Sequence, residues 1–174
     1  MLRLPWADIG YACDLAWWQR YHDRARQDIK LTVDKAAAKR YPSLGLVGLQ
    51  KGCDRLELMK LGTVGWGGNS GFHCLNLAVQ FQASKIIMVG FDMTVAHGVH
   101  WHGKHPVGMN NPTEKNAERW RRCIDAAADV IAEIGIRVIN ASPVSALVKY
   151  DKMGLLEALD ADPTIDAGRL SRAA

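Results

Sequence analysis

The run KIIMVGFD, residues 85–92, constrains the fold more than any other stretch of the chain. Its apolar residues stand at consecutive positions, and it closes on Gly90. Successive strand side chains point to opposite faces. A run with no polar alternation therefore predicts a strand buried on both sides, as in a parallel sheet covered by helices. The flanks supply helices. SGFHCLNLAVQFQ carries Phe72, Leu75, Leu77, Ala78, Val79 and Phe81 at helical spacing. NPTEKNAERWRRCIDAAADVIAEIG predicts a helix capped by Thr113, with Glu114 and Glu118 in its first two turns and Gly135 at its end.

Further strands are expected in ADIGYACD, ending at Asp14, and in KLTVD, LGLVGL and IRVIN. LAWWQRYHDRARQDI reads as a helix with an aromatic face, on which Trp17 and Tyr21 form core or an oligomer seam. SPVSALVKY reads as a last short helix. Residues 50–68 read as irregular, and residues 93–112 as a loop rich in His, Gly and Pro. Alternating strands and helices predict one α/β domain over residues 1–159 with an open, mostly parallel, three-layer sheet. Residues 160–174 are expected to be a frayed tail.

With 174 residues, 48% of them hydrophobic, the chain can bury one core of its own. No apolar run approaches membrane-span length, and MLRLPWADIG lacks the pattern of a secretory signal. A cytoplasmic protein is expected. Cys13, Cys53, Cys74 and Cys123 show no CxxC spacing, which favours free thiols over disulfides or a zinc site. The net charge of +4 is spread along the chain, with RWRR at residues 119–122 the one dense group. That falls short of a nucleic-acid footprint and suits a small anionic ligand. ERWRR itself reads as a solvated helix surface more readily than as a phosphate clamp.

In open parallel sheets, ligands sit beyond the carboxyl ends of the strands. That rule selects Asp14, the turn at residues 67–70, Asp92 and residues 140–142. The turn lies in GWGGNSG, whose glycines precede a helix. A helix start presents unpaired N–H groups and partial positive charge, and glycines let an anion come close. Asn69 or Ser70 can cap this helix, and the Ser70 hydroxyl can face a phosphate or carboxylate instead. The plainer reading is a flexible turn with a good cap, since neither a Walker loop nor GxGxxG is present.

The combination GGNSGFHCLNLAVQFQASKIIMVGFDM resembles the core of the MptE-like family, which includes 6-hydroxymethylpterin diphosphokinases. It is also similar to a segment of bacterial family-42-type sialyltransferases. Closer still in pattern are tailed-phage and prophage morphogenetic proteins, in which the same core precedes a segment like HWHGKHP. The likeness is strongest over residues 65–106. It implies a Rossmann-like transferase, phage- or prophage-borne and working in the host cytoplasm. Such a protein holds a nucleotide or nucleotide-sugar donor and moves a glycosyl or diphospho group. Gly68, Asn69, Ser70, Gly71 and Asp92 would sit at the donor. Sialyltransferase-like members use a His base without metal, whereas the pterin enzymes depend on Mg²⁺. These families open with an additional strand and a Gly–Pro–Ser-type turn, so the sheet here is expected to lack its usual first strand. The start codon would then lie further upstream, the gene would be a remnant, or another chain would supply that strand.

Five of the six histidines lie between His73 and His105. Imidazole changes charge near neutral pH and suits acid–base work. His102 and His105, held among glycine and proline, are the candidate catalytic pair, and Lys104 would help neutralise a phosphate. In a second reading His100 and His102, with Asp92, bind Zn²⁺, Mn²⁺ or Fe²⁺. The plainer reading is a solvated loop. His73 is expected to pack in the core, and His22 to lie exposed. Asp14 would bind a ribose hydroxyl or a metal, or cap the helix after it. Ser142, before Pro143, would border the site or cap the last helix. The rival to a transferase is a non-catalytic morphogenesis or interaction module that keeps the fold.

Overall fold

The computed structural model describes residues 2–99, 103–105 and 109–164. Strand β1 (Ile9–Tyr11) leads to α1 (Leu15–Tyr21), β2 (Ile29–Thr32), α2 (Lys35–Arg40), β3 (Leu44–Leu46), β4 (Gly48–Gln50) and β5 (Thr63–Gly65). Helix α3 (Ser70–Gln80), β6 (Lys85–Met88), α4 (Glu114–Glu133), β7 (Arg137–Asn140), β8 (Asp151–Lys152) and α5 (Leu155–Asp160) follow. The fold is α/β with small, open, parallel sheets. Strand orders are β1–β2–β3, β4–β5 and β6–β7–β8, and every pairing among the described residues is parallel. β3 and β4 are two halves of one extended run. Val47 N–H donates to Thr32 O on the β2 side at 2.8 Å, and Gly48 N–H donates to Gly62 O on the β5 side at 2.8 Å.

Helices cover both faces. Ala12 packs with Trp18 of α1, Ala37 of α2 and Leu44. Tyr11, facing the other way, packs with Val47, Val64 and Leu77 of α3. On its other flank α3 sends Phe72, Leu75 and Val79 against Met88 and against Ile124 and Ile131 of α4. α5 closes the opposite face of β6 and β7, with Ala158 beside Ile87 and Ile139. No ladder joins the β1–β5 strands to the β6–β8 strands among the described residues, so α3 is the element that ties the two groups into one core. No described helix is long and apolar enough to cross a membrane.

Several local expectations change in the folded chain. The helix expected over residues 15–29 stops at Tyr21, and a 3-10 turn (His22–Arg24) follows. Ile29 instead enters the sheet opposite Ile9, and buried Gln27 donates to Leu4 O at 2.7 Å. Residues 143–150 form no helix. Their polar groups are taken by side-chain bonds: Ser145 Oγ donates to Phe91 O at 2.6 Å, and the Val148 N–H donates to Asp125 Oδ1 at 3.1 Å. The helix comes later, as α5. The stretch 50–68 contains β5. Lys85 Nζ donates to the carbonyls of Ala158, Leu159 and Ala161 at 3.0, 2.8 and 2.7 Å, so a cation holds the C-terminal end of α5. Thr113 caps α4 in a reciprocal box with Asn116.

Candidate functional site

A cavity of about 1160 Å³ opens where β1, β2, β4 and β5 end. Cys13 and Asp14 line it after β1, Asp34 and Lys35 after β2, Lys51 after β4, and Trp66 after β5. Gly68, Asn69 and Ser70, at the start of α3, also line it, as do Asn110, Asn116 and Trp120. A second cavity, of about 390 Å³, shares Cys13, Asp14, Ser70 and Asn110 with the first and adds Trp17, His105 and Met109.

The turn before α3 owes its shape to two glycines. Gly67 and Gly68 have φ of +52° and +80°, in the left-handed region that favours glycine. A Cβ on Gly67 would lie 2.1 Å from the Phe72 ring, so the side chain is excluded twice over. Helix α4 clamps the same turn. Trp120 Nε1 donates to Gly68 O at 2.8 Å. Arg119 donates to both Asp54 oxygens at 3.1 and 2.6 Å and lies 4.6 Å from the Trp66 ring centroid. The guanidinium holds the Asp54 carboxyl below the usual carboxylate range. The ERWRR run is therefore not simply a solvated face. Arg119 holds the turn, and Arg121 donates to Met93 O at 2.9 Å.

Asn69 is the cap of α3, with Oδ1 accepting the Phe72 N–H at 2.9 Å. That bond fixes the amide, and its buried Nδ2 has no acceptor among the described residues. The first-turn amides of Ser70 and Gly71 have no partner within the helix. Gly71 packs close to Phe91, whose ring would meet a Cβ at 3.2 Å.

The cap expected of Asp14 is made by Asp34. Asp34 Oδ2 accepts the Leu15 N–H at 2.9 Å, and Oδ1 accepts those of Ala36 and Ala37 at 2.8 and 3.0 Å. One carboxylate thus serves two helix starts, while the Asp14 side chain makes no cap bond and faces both cavities. Burial raises the Asp14 pKa, the Asp34 charge raises it further, and His105 lowers it.

Beneath the turn lies a polar chain. His73 is buried, and its Nε2 donates to Trp66 O at 2.6 Å. A carbonyl can only accept, so Nε2 carries the proton and Nδ1 accepts from the Tyr11 hydroxyl at 2.7 Å. Cys13 Sγ lies 3.3 Å from the same Nδ1. Burial lowers the His73 pKa, raises that of Tyr11, and pushes the Cys13 thiol up to about 12. All three groups are neutral at pH 7, and the packing role expected of His73 includes this bonding.

The structure gathers Asp14, Gly68, Asn69, Ser70 and His105 around the two cavities. The His105 N–H donates to Asn111 Oδ1 at 2.7 Å. Asp92 and Ser142 lie outside both linings and stitch the ends of β6 and β7 together. Asp92 O accepts the Ala146 N–H at 2.9 Å, and buried Ser142 Oγ accepts the Phe91 N–H at 2.8 Å. His100 and His102 lie outside the described residues. Among the described residues, no cluster of three or more His, Cys, Asp or Glu is placed to hold a metal.

Sequence reasoning missed Asp34, Lys35, Lys51, Trp66, Arg119 and Trp120. Asp34 had a readable signal, an acid directly before KAAAK. Trp66 and the α4 pair had none, because the contacts that give them a role join residues 52 to 65 positions apart. Comparison with family models, curated proteins and solved structures returned no match.

Proposed function

We propose that the larger cavity holds a nucleotide or nucleotide-sugar and that the protein transfers its glycosyl or diphospho group to an acceptor in the smaller one. The observation that carries this reading is the meeting of the two cavities at Ser70 and Asp14, where α3 begins. Anions are stabilised at a helix start by about 0.3–1 kcal/mol, more when partly buried. Lys35 and Lys51 on the wall add positive charge. The larger volume suits a ligand of nucleotide size.

In this reading the amides of residues 68–71 take a donor phosphate. Asp14, whose pKa burial raises, accepts a hydrogen bond from a ribose or acceptor hydroxyl. His105, which also lines the smaller cavity, is the base for the acceptor. Asp92 and Ser142 hold the loop beside the site rather than touching the donor. Where Mg²⁺ takes part, it would neutralise the donor phosphates.

Titration with CMP, a CMP-sugar, ATP and GTP, each with and without Mg²⁺, tests the proposal. Saturable binding that Ser70→Trp abolishes is expected. His105→Gln should keep donor binding and lose turnover. Absence of binding at millimolar nucleotide would sink the transferase and leave a non-catalytic morphogenesis or interaction module.

A further inference from the structure

Trp66 is 40% exposed and lines the larger cavity four positions before Ser70. A lone exposed apolar residue is ordinary. This one is anchored through its backbone, whose N–H donates to Cys53 O at 2.6 Å and whose carbonyl accepts from His73 Nε2 at 2.6 Å. The Arg119 guanidinium lies over the ring, 4.6 Å from its centroid, and is itself held by two bonds to Asp54. An aromatic ring ordered in advance gives up little conformational entropy when a ligand covers it. The same cavity wall carries Trp120, Asn110 and Asn116. Asn116 Oδ1 is used in the α4 cap, which turns its Nδ2 into the available donor. A planar surface beside amide groups matches the face and edge of a heterocyclic base.

We propose that Trp66 is a stacking platform for the nucleobase, so that a base of either kind adds affinity to what the phosphate supplies. This rests on the reading of the larger cavity as a nucleotide site. With the base on Trp66, the phosphate lies towards the turn at residues 67–70, and Lys35 and Lys51 face the rest of the donor. Stacking of this kind tolerates different bases because each has a π-face.

Calorimetric titration of CMP and GMP against ribose 5-phosphate tests the proposal. The two nucleotides should bind about tenfold tighter than the sugar phosphate. Trp66→Leu should remove that difference and leave ribose 5-phosphate unchanged, and Trp66→Phe should retain part of it. Circular dichroism checks that each variant is folded. Equal affinity of nucleotide and sugar phosphate in the wild type overturns the platform, as does a difference that survives Trp66→Leu; either result leaves the anion site standing. If neither ligand class binds, both readings fall.

Discussion

Burial lifts the Asp14 pKa above the ordinary aspartate value of 3.8, with Asp34 adding to the lift and His105 opposing it. Above the raised folded value the carboxylate is ionised in folded and unfolded chains alike, and the folded state bears the cost. Below 3.8 both states are protonated and the cost is gone. Stability is thus lost as pH rises from 3.8 through the raised folded value. Asp14→Asn should melt higher than wild type at pH 8, and the gap should close as pH falls through that window. Calorimetry at several pH values reads this directly, and equal melting temperatures at pH 8 would remove the argument. A destabilising acid kept beside a cavity fits a group retained for ligand contact. The Asp34 side chain, which caps two helices, has an evident structural role; the Asp14 side chain caps neither.

Among the elements, the turn into α3 depends on α4 as much as on its own glycines. Gly68 has φ of +80°, and a Cβ there would meet Arg119 Nη1 at 3.2 Å and Trp120 Nε1 at 3.3 Å. Left-handed backbone costs an ordinary residue on the order of 1–3 kcal/mol. Gly68→Ala should therefore lower unfolding free energy by about 1–3 kcal/mol in a urea titration. It should also weaken nucleotide binding, because the clamp from Trp120 to the Gly68 carbonyl is displaced. A variant as stable as wild type would mean that the turn relaxes without strain. β6 shows the converse: its apolar run, KIIM, forms a strand wherever helices can cover both faces, and α3, α4 and α5 do so.

For the molecule as a whole, α3 joins two groups of parallel strands that share no backbone ladder among the described residues. Leu77 faces Val47 and Val64, whereas Phe72, Leu75 and Val79 face Met88 and α4. Leu77→Ala removes a buried side chain from one side only, at a cost of about 2–5 kcal/mol. If the chain is one cooperative domain, amides of β2 and β7 should lose hydrogen-exchange protection together in this variant. Loss confined to β2 would show two units that open separately.

The alternation of elements, the place of β6, the Thr113 cap and the Gly135 stop were all legible in the chain, because helix period, strand period and capping are set within about four residues. The Gly-rich turn at the start of α3 was legible for the same reason. Other features were not. That Asp34 rather than Asp14 caps α1, that residues 143–150 spend their amides on side chains, and that Arg119 reaches Asp54 are outcomes of layer packing. Each needs partners brought together from distant parts of the chain, and no local pattern encodes which of two nearby acids or aromatic residues will arrive first. The sequence by itself determined the parallel α/β plan and the glycine-rich turn into α3. Tertiary structure alone decided which side chains meet there, since that depends on how α3 and α4 stack against the strands.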